Sequence, residues 1–347
     1  MATLVDKRAD KRVDKKGAIE FANIEGLHTY NDALFPRIIT KQSIVAPSSI
    51  TTLEEAITWV KDNLATLKEA LTEAGTLLFR GFPLHSAEDF DAFSAAFGYK
   101  AFTYQESLSN AVRINFTERV FTANEAPKDV EIFLHHEMAQ TPVSPDQLFF
   151  FCLKAADQGG ATPLCRSDQL FEKLKQVAPE LAQAFAEKGL KYTTTMPDEN
   201  DINSGQGRSW KSTLSCDTLS EAEAKLKSLG YTWEWLEDGS LRATTPVLPA
   251  VVKLENGKEV FYNQLIAAYM GWKGVRENPA SAITFGDDSH IKAQDLELVN
   301  DLSDEFTFDV EWQDGDMAIV DNYMAMHGRR PYSGESKRQV LVALGQS

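Results

Sequence analysis

The 347-residue sequence predicts a mainly β chain with added helices, a sandwich or jelly roll rather than a doubly wound sheet. Three observations carry this. Short strand-like runs closed by turn residues recur along the chain. The strong helical patterns concentrate outside the central run of strands. Two runs, Leu148-Phe149-Phe150-Phe151 and Met317-Ala318-Ile319-Val320, are continuously apolar, as in strands covered on both faces.

In chain order, residues 1–17 are charged, lack apolar periodicity and are expected to form a flexible tail, leaving 18–347 as one domain. Thr52-Leu53-Glu54-Glu55 has the spacing of a capping box and opens a helix pattern running to about Ala74. Thr76 to Phe82 is a buried strand. Ser86 to Phe97 is a short helix with Phe90, Phe93 and Phe97 near helical spacing. Val130 to Glu137 and Asp146 to Lys154 are strands, and Ser167 to Leu190 is a helix broken at Pro179. Asp198 to Ser215, with Gly205, Gly207 and Trp210, suits a surface loop or a lid. Tyr231 to Thr245 is strand-like, and Asn256-Gly257 makes a hairpin of Ala250 to Leu254 and Lys258 to Asn263. A helix is expected over His290 to Leu302. Strands over Phe306 to Trp312, Asp316 to Val320, Tyr323 to Gly328 and Gln339 to Leu344 close the chain.

Composition narrows the function. Acidic residues outnumber basic ones 51 to 35, a net charge of −16, which argues against the basic face that nucleic-acid binding needs. Cys152, Cys165 and Cys216 include no C-x-x-C pair, so neither a disulfide framework nor a structural zinc site is expected. No signal-peptide core and no transmembrane run is present, which fits a reducing, cytoplasmic compartment and no membrane partner.

The chemistry-bearing stretch is Leu134-His135-His136-Glu137. On a strand, His135 and Glu137 share a face and His136 points the other way, into the wall. Two such donors can grip one metal ion, with a third ligand arriving from His327. Two histidines and a carboxylate leave three positions open, the arrangement of non-haem Fe(II) oxygenases. Arg338 lies eleven residues after His327, beyond the Pro331-Tyr332-Ser333-Gly334 turn. An antiparallel return strand would bring it level with the histidine, where its guanidinium can hold a carboxylate by two parallel bonds.

Together with Leu78-Phe79-Arg80-Gly81-Phe82, Arg113, Phe121 through Pro127, Gly159-Gly160-Ala161-Thr162, Phe261-Tyr262-Asn263-Gln264 and Gly315-Asp316, these pieces span roughly residues 75–345 in order. The set resembles the Fe(II)/2-oxoglutarate-dependent oxygenases of the taurine dioxygenase (TauD/TfdA) family, most of all its clavaminate synthase-like and syringomycin-pathway hydroxylase-like branch. That branch carries H-x-E where most relatives carry H-x-D. The resemblance implies a double-stranded β-helix (jelly roll) core that uses Fe(II), 2-oxoglutarate as cosubstrate and O2. It implies His135, Glu137 and His327 as iron ligands, Arg338 for the distal carboxylate of 2-oxoglutarate, and Thr162 as its helper. Some relatives use an arginine fourteen residues after the distal histidine; that position here is Leu341, which leaves the role to Arg338. Arg113, Asn124, Asn263 and Gln264 match family positions open to either substrate contact or buried structural bonding. Arg166, Arg329 and Arg330 are candidates for a substrate carboxylate and equally for ion pairs.

The implied activity is hydroxylation, desaturation or cyclisation of a small amino-acid-like substrate, free or carrier-tethered, in a biosynthetic pathway. The alternatives are a catabolic oxygenase of a small organic acid, a zinc hydrolase on the same ligands, and a non-catalytic jelly-roll binding protein. The hydrolase lacks H-E-x-x-H, and the silent protein would be expected to have lost a ligand.

Overall fold

The structure, a computed structural model, describes residues 12–13, 19–44, 50–103, 108, 113–123, 126–200 and 207–347. The expected tail 1–17 lies outside the described residues except for Arg12–Val13, which pairs with Glu20–Phe21.

The protein is mainly β with added helices, arranged as helices, a large sheet, a small sheet and more helices. Numbering only the strands of the two central sheets, these are β1 (Arg37–Thr40), β2 (Thr76–Arg80), β3 (Lys100–Ala101), β4 (Phe121–Thr122), β5 (Ile132–His135), β6 (Gln147–Lys154), β7 (Thr162–Arg166), β8 (Thr307–Val310), β9 (Met317–Asp321), β10 (Ala325–Arg329) and β11 (Gln339–Gln346). The seven-stranded sheet runs β1-β2-β9-β6-β11-β3, with β4 also paired to β11. The four-stranded sheet runs β8-β7-β10-β5. All neighbours are antiparallel except β1 and β2.

Period-two alternation sorts the side chains between layers. Along β6, Phe149 and Phe151 join Phe79, Ile319 and Leu341 in a cluster with the helices Leu53–Asp62, Leu64–Ala74 and Ala87–Ala95. Leu148, Phe150 and Cys152 instead join Val340, Val342, Leu164 and Val310 between the two sheets. The expectation of a strand covered on both faces is met, each face by a different layer. On the far side of the small sheet, Leu134, Cys165 and Met326 pack with Ser167–Val177, Pro179–Lys188, Leu265–Gly271 and Ala293–Asp304.

Several boundaries follow local chemistry. Thr52 and Glu55 form the reciprocal capping box, and the helix they open breaks at Asn63 into two. Pro179 starts a new helix, as its missing N–H allows. The Asn256-Gly257 hairpin forms between Val252–Lys253 and Glu259–Val260.

Three expectations are corrected. The strand expected over Val130 to Glu137 ends at His135, and Glu137 sits in the turn beyond it. The return strand after Tyr332 does not pair with the strand of His327: β11 joins the large sheet beside β6, whereas β10 belongs to the small one. Of the segment expected as a loop or lid, 201–206 with Gly205 lies outside the described residues, while Trp210–Leu214 is a helix whose Trp210 is buried edge-on against Trp235. Two helices, Leu219–Ser228 and Leu265–Gly271, and the strand Leu190–Met196 were not anticipated.

Candidate metal centre

His135 ends β5 and His327 lies in β10, and the ladder between these strands makes the two residues direct partners. Gly328 permits the close approach, since a Cβ there would meet the Ile132 carbonyl at 2.4 Å. The two imidazole rings lie 4.2 Å apart, centroid to centroid. Phe150, from the facing sheet, packs 5.1 Å from the His327 ring. Glu137 completes the group: its Oε2 is 3.5 Å from His327 Nε2 and 3.9 Å from His135 Nε2. Among the described residues these three make the cluster able to hold a metal ion, with one ligand atom from each lying within 4.8 Å of the others.

Glu137 reaches the site from outside the ladder because Asn322 stands in for a strand. The Asn322 Oδ1 accepts from Glu137 N at 2.8 Å, and its Nδ2 donates to Glu137 O at 3.0 Å and to Pro145 O at 2.8 Å. A side-chain amide thus presents the donor–acceptor pair that a neighbouring peptide would supply. Met138 then turns the chain at φ +60°. His136 points away from the centre, as alternation requires. It is fully buried, with Nδ1 bonded to the Asn322 carbonyl and Nε2 lying 3.0 Å from the Phe261 carbonyl and 2.7 Å from Ser167 Oγ.

The electrostatics suit a divalent cation. Burial, then the neighbouring His327, lowers the His135 pKa to about 4, so that ring is neutral at pH 7. Its Nδ1–H donates to the Phe133 carbonyl at 2.7 Å, which leaves the Nε2 lone pair facing the cluster. Burial alone would raise the Glu137 pKa. Arg113 and the two imidazoles outweigh it and hold the carboxyl below its usual range. Arg113 Nη2 donates to Glu137 Oε1 at 3.0 Å. His327 Nδ1 is buried without a partner among the described residues.

Arg338 immediately precedes β11 and reaches across to the small sheet. Its Nε donates to Gly160 O at 2.8 Å and its Nη2 lies 3.5 Å from Thr162 Oγ1. Thr162 Oγ1 also accepts from Trp312 Nε1 at 2.9 Å. On β7, Thr162 is two residues from Leu164, the register partner of His327, so both lie on the face between the sheets. Burial, helped by Arg329, lowers the Arg338 pKa to about 10, still a cation at neutral pH. Arg338 lines a cavity with Arg329, Lys337, Thr122, Tyr332 and Val340.

The other candidate residues separate clearly. Asn263 and Gln264 bond within the wall of the site: the Asn263 side chain bonds Ala250 O and Leu265 N, and the Gln264 side chain donates to His136 O. Asn124 lies outside the described residues. Arg166 is buried in a two-bond ion pair with Asp168, Arg330 pairs with Glu131 and Asp309, and Arg329 donates to the carbonyls of Ala126, Pro127 and Val130. Arg80 and Asp316, each in a stretch quoted for the resemblance, form a fork across β2 and β9 with bonds of 2.6 and 3.1 Å. Asn322 and Trp312 were missed. The signal for Asn322 was an amide set at the end of an apolar strand; for Trp312 there was none in the local sequence.

The chain is similar to a known family and to several known proteins. The family described as taurine catabolism dioxygenase TauD, TfdA family matches residues 45–344. A clavaminate synthase-like protein of Arabidopsis thaliana is 36% identical over 91% of this chain and 94% of its own length. The dapdiamide synthesis protein DdaC of Enterobacter agglomerans is 28% identical over 80% of this chain and 84% of its own. Among solved structures, an asparagine oxygenase in complex with Fe(II), 2S,3S-3-hydroxyasparagine and succinate superposes with a TM-score of 0.52 at 12% identity, covering 85% of this chain and 83% of that one.

Proposed function

From the premise that the chain belongs to the TauD/TfdA dioxygenase family, we propose that it oxidises a C–H bond of a small amino-acid-like substrate, with Fe(II), 2-oxoglutarate and O2. The single observation that carries the reading is the convergence of His135, Glu137 and His327. The donor set fits the metal: two imidazole nitrogens and one carboxylate, with a tautomer fixed at His135 from behind. Bound iron with its keto-acid cosubstrate supplies the oxidation of the C–H bond, with 2-oxoglutarate ending as succinate and CO2.

The chain's own residues do the rest. His135 and His327 bind as neutral rings and Glu137 as a carboxylate. Arg338 takes the distal carboxylate of 2-oxoglutarate, and the Thr162 hydroxyl, held by Trp312, supports it. Phe150, packed on His327, keeps water from that side of the ring. In this reading the two facing sheets are a double-stranded β-helix and residues 18–347 one oxygenase domain. The amino-acid-like substrate is supported by the likeness to the clavaminate synthase-like protein and to a protein named for dapdiamide synthesis. A carrier-tethered form of that substrate belongs to the same proposal. Among the described residues no helix is long and apolar enough to cross a membrane.

Anaerobic addition of Fe(II) and 2-oxoglutarate should produce a weak visible charge-transfer band, absent in His135→Ala and His327→Ala. Unchanged absorbance in the wild type would remove the iron reading. A succinate-release screen over amino acids and small acids, with product masses, then identifies the substrate. A gain of about 16 mass units means hydroxylation and a loss of about 2 means desaturation or ring closure.

A further inference from the structure

We infer that Arg113 is a positioning residue that commits Glu137 to binding the metal through one oxygen. The inference rests on the proposed iron centre and adds a residue whose role the resemblance left open.

The two oxygens of Glu137 face different partners. Oε2 is the one turned to the imidazoles, 3.5 Å from His327 Nε2 and 3.9 Å from His135 Nε2. Oε1 is taken by Arg113 Nη2 at 3.0 Å. Both side chains are under a tenth exposed, 8% and 7%, so solvent does not compete for the contact. A carboxylate using both oxygens would occupy one more position on the metal. Three open positions are what a two-point cosubstrate plus O2 requires. An arginine hydrogen-bonded to the second oxygen keeps that oxygen off the metal.

Arg113 is itself held in place. Its guanidinium carbon lies 5.3 Å from the centre of the Phe121 ring. The next residue, Ile114, donates its N–H to Thr122 Oγ1 at 3.1 Å, and Asn115 bridges to Phe121. Those contacts anchor the segment on β4, which pairs with β11 at Thr122↔Leu341 and Phe121↔Val342. β11 is the strand that Arg338 precedes. The cation behind the metal ligand and the cation expected to hold the cosubstrate therefore lie on segments that adjoin neighbouring strands of one sheet. The existing pairing also argues against Arg113 as a substrate-carboxylate binder, since that role would require it to leave a buried Glu137 without its partner.

The test is anaerobic Mn(II) titration, read by the EPR signal of free Mn(II), on wild type, Arg113→Met, Arg113→Lys and Arg113→Ala. Arg113→Met should free Oε1 for the metal: Mn(II) binding should be no weaker than in the wild type, while 2-oxoglutarate affinity at saturating Mn(II) should fall about tenfold or more, and millimolar guanidinium should restore that affinity in Arg113→Ala but not metal binding in His135→Ala. At saturating Mn(II), 2-oxoglutarate affinity should stay within about threefold of wild type for Arg113→Lys, a change small against RT-scale tenfold steps. Unaltered 2-oxoglutarate affinity in a folded Arg113→Met protein, weakened Mn(II) binding in it, or no response to guanidinium, overturns the role. If the wild type binds no Mn(II), the metal centre itself fails, and the inference with it; loss confined to the variants speaks to Arg113 alone.

Discussion

A methyl group at position 160 would lie 2.9 Å from Arg338 Cδ and 3.1 Å from its Nε, on a backbone at φ +75°. The glycine is therefore required twice, by the left-handed turn and by the passage of the arginine. Gly160→Ala should displace the guanidinium and weaken 2-oxoglutarate about tenfold or more, at a strain cost of roughly 1–2 kcal/mol. Mn(II) affinity should be unchanged, which titration of the metal and then the cosubstrate would separate. Arg338→Ala should show the same split more strongly. Asp321 makes a pH prediction. Burial, with Asp146 adding to it, raises its pKa to about 6 against the opposing N–H groups of Tyr323 and Met324 and the Arg166 cation. Tyr323 and Tyr99 also face this acidic pair. The folded protein thus holds the Asp321 proton more tightly than the unfolded chain does. Its contribution is favourable below about pH 4 and is lost as pH rises towards 6. Asp321→Asn should be more stable than wild type at pH 7 by roughly 1–3 kcal/mol, with the gap closing at pH 4; denaturant midpoints at both pH values check it. At this scale the convergence of His135, Glu137 and His327 was legible early, because an H-x-E pair is local and the family resemblance supplies the distant histidine. The Arg113–Glu137 contact was not, since spacing gives no sign of which buried cation meets which carboxylate.

Among the elements, the strand end at His135 carries the most weight. Ladder pairing fixes His135 opposite His327, but Glu137 is beyond the ladder and depends on the Asn322 amide. Asn322→Ala would leave Glu137 N, Glu137 O and Pro145 O without this partner. A loss of about 2–4 kcal/mol in stability should follow, together with weaker Mn(II) binding, measured by denaturation and metal titration. Undiminished metal affinity would show that the turn holds itself. Helix starts at Thr52, Ser86 and Pro179 follow local chemistry and were readable. The same Thr-x-x-Glu signal at Thr218 and Glu221 opens the overlooked helix Leu219–Ser228. Leu265–Gly271 lacks a side-chain cap and is only seven residues long, so burial against its neighbours supports it rather than sequence pattern.

The whole molecule is held in register by long-range contacts between layers. Arg166, at the end of β7, pairs with Asp168, donates to Ala74 O at 3.1 Å and lies over Tyr30 and Phe35. It ties the small sheet to the helix Leu64–Ala74 and to the N-terminal hairpin His28–Tyr30 and Ala33–Phe35. Arg166→Met would strand the Asp168 carboxylate, with Lys258 at 3.7 Å as a partial substitute. Stability should fall by about 2–5 kcal/mol, while Mn(II) affinity of the folded fraction stays near wild type. Equal stability would mean that the layers are joined by apolar packing alone.

Strand periodicity, capping residues and donor chemistry are properties of short stretches, and from them the β-rich character could be read directly, while the family resemblance singled out His135, Glu137 and His327, which the fold brings together, and made Arg338 a candidate. The partnering of strands is not such a property. A run like Gln339 to Leu344 carries the same alternation whichever sheet receives it, so placing β11 beside β6, and Arg338 across the interior from β7, required the assembled layers. Folding likewise brought Asn322 behind Glu137 and Arg113 onto its outer oxygen, because hydrogen bonds between residues far apart in the chain depend on packing that no local pattern encodes.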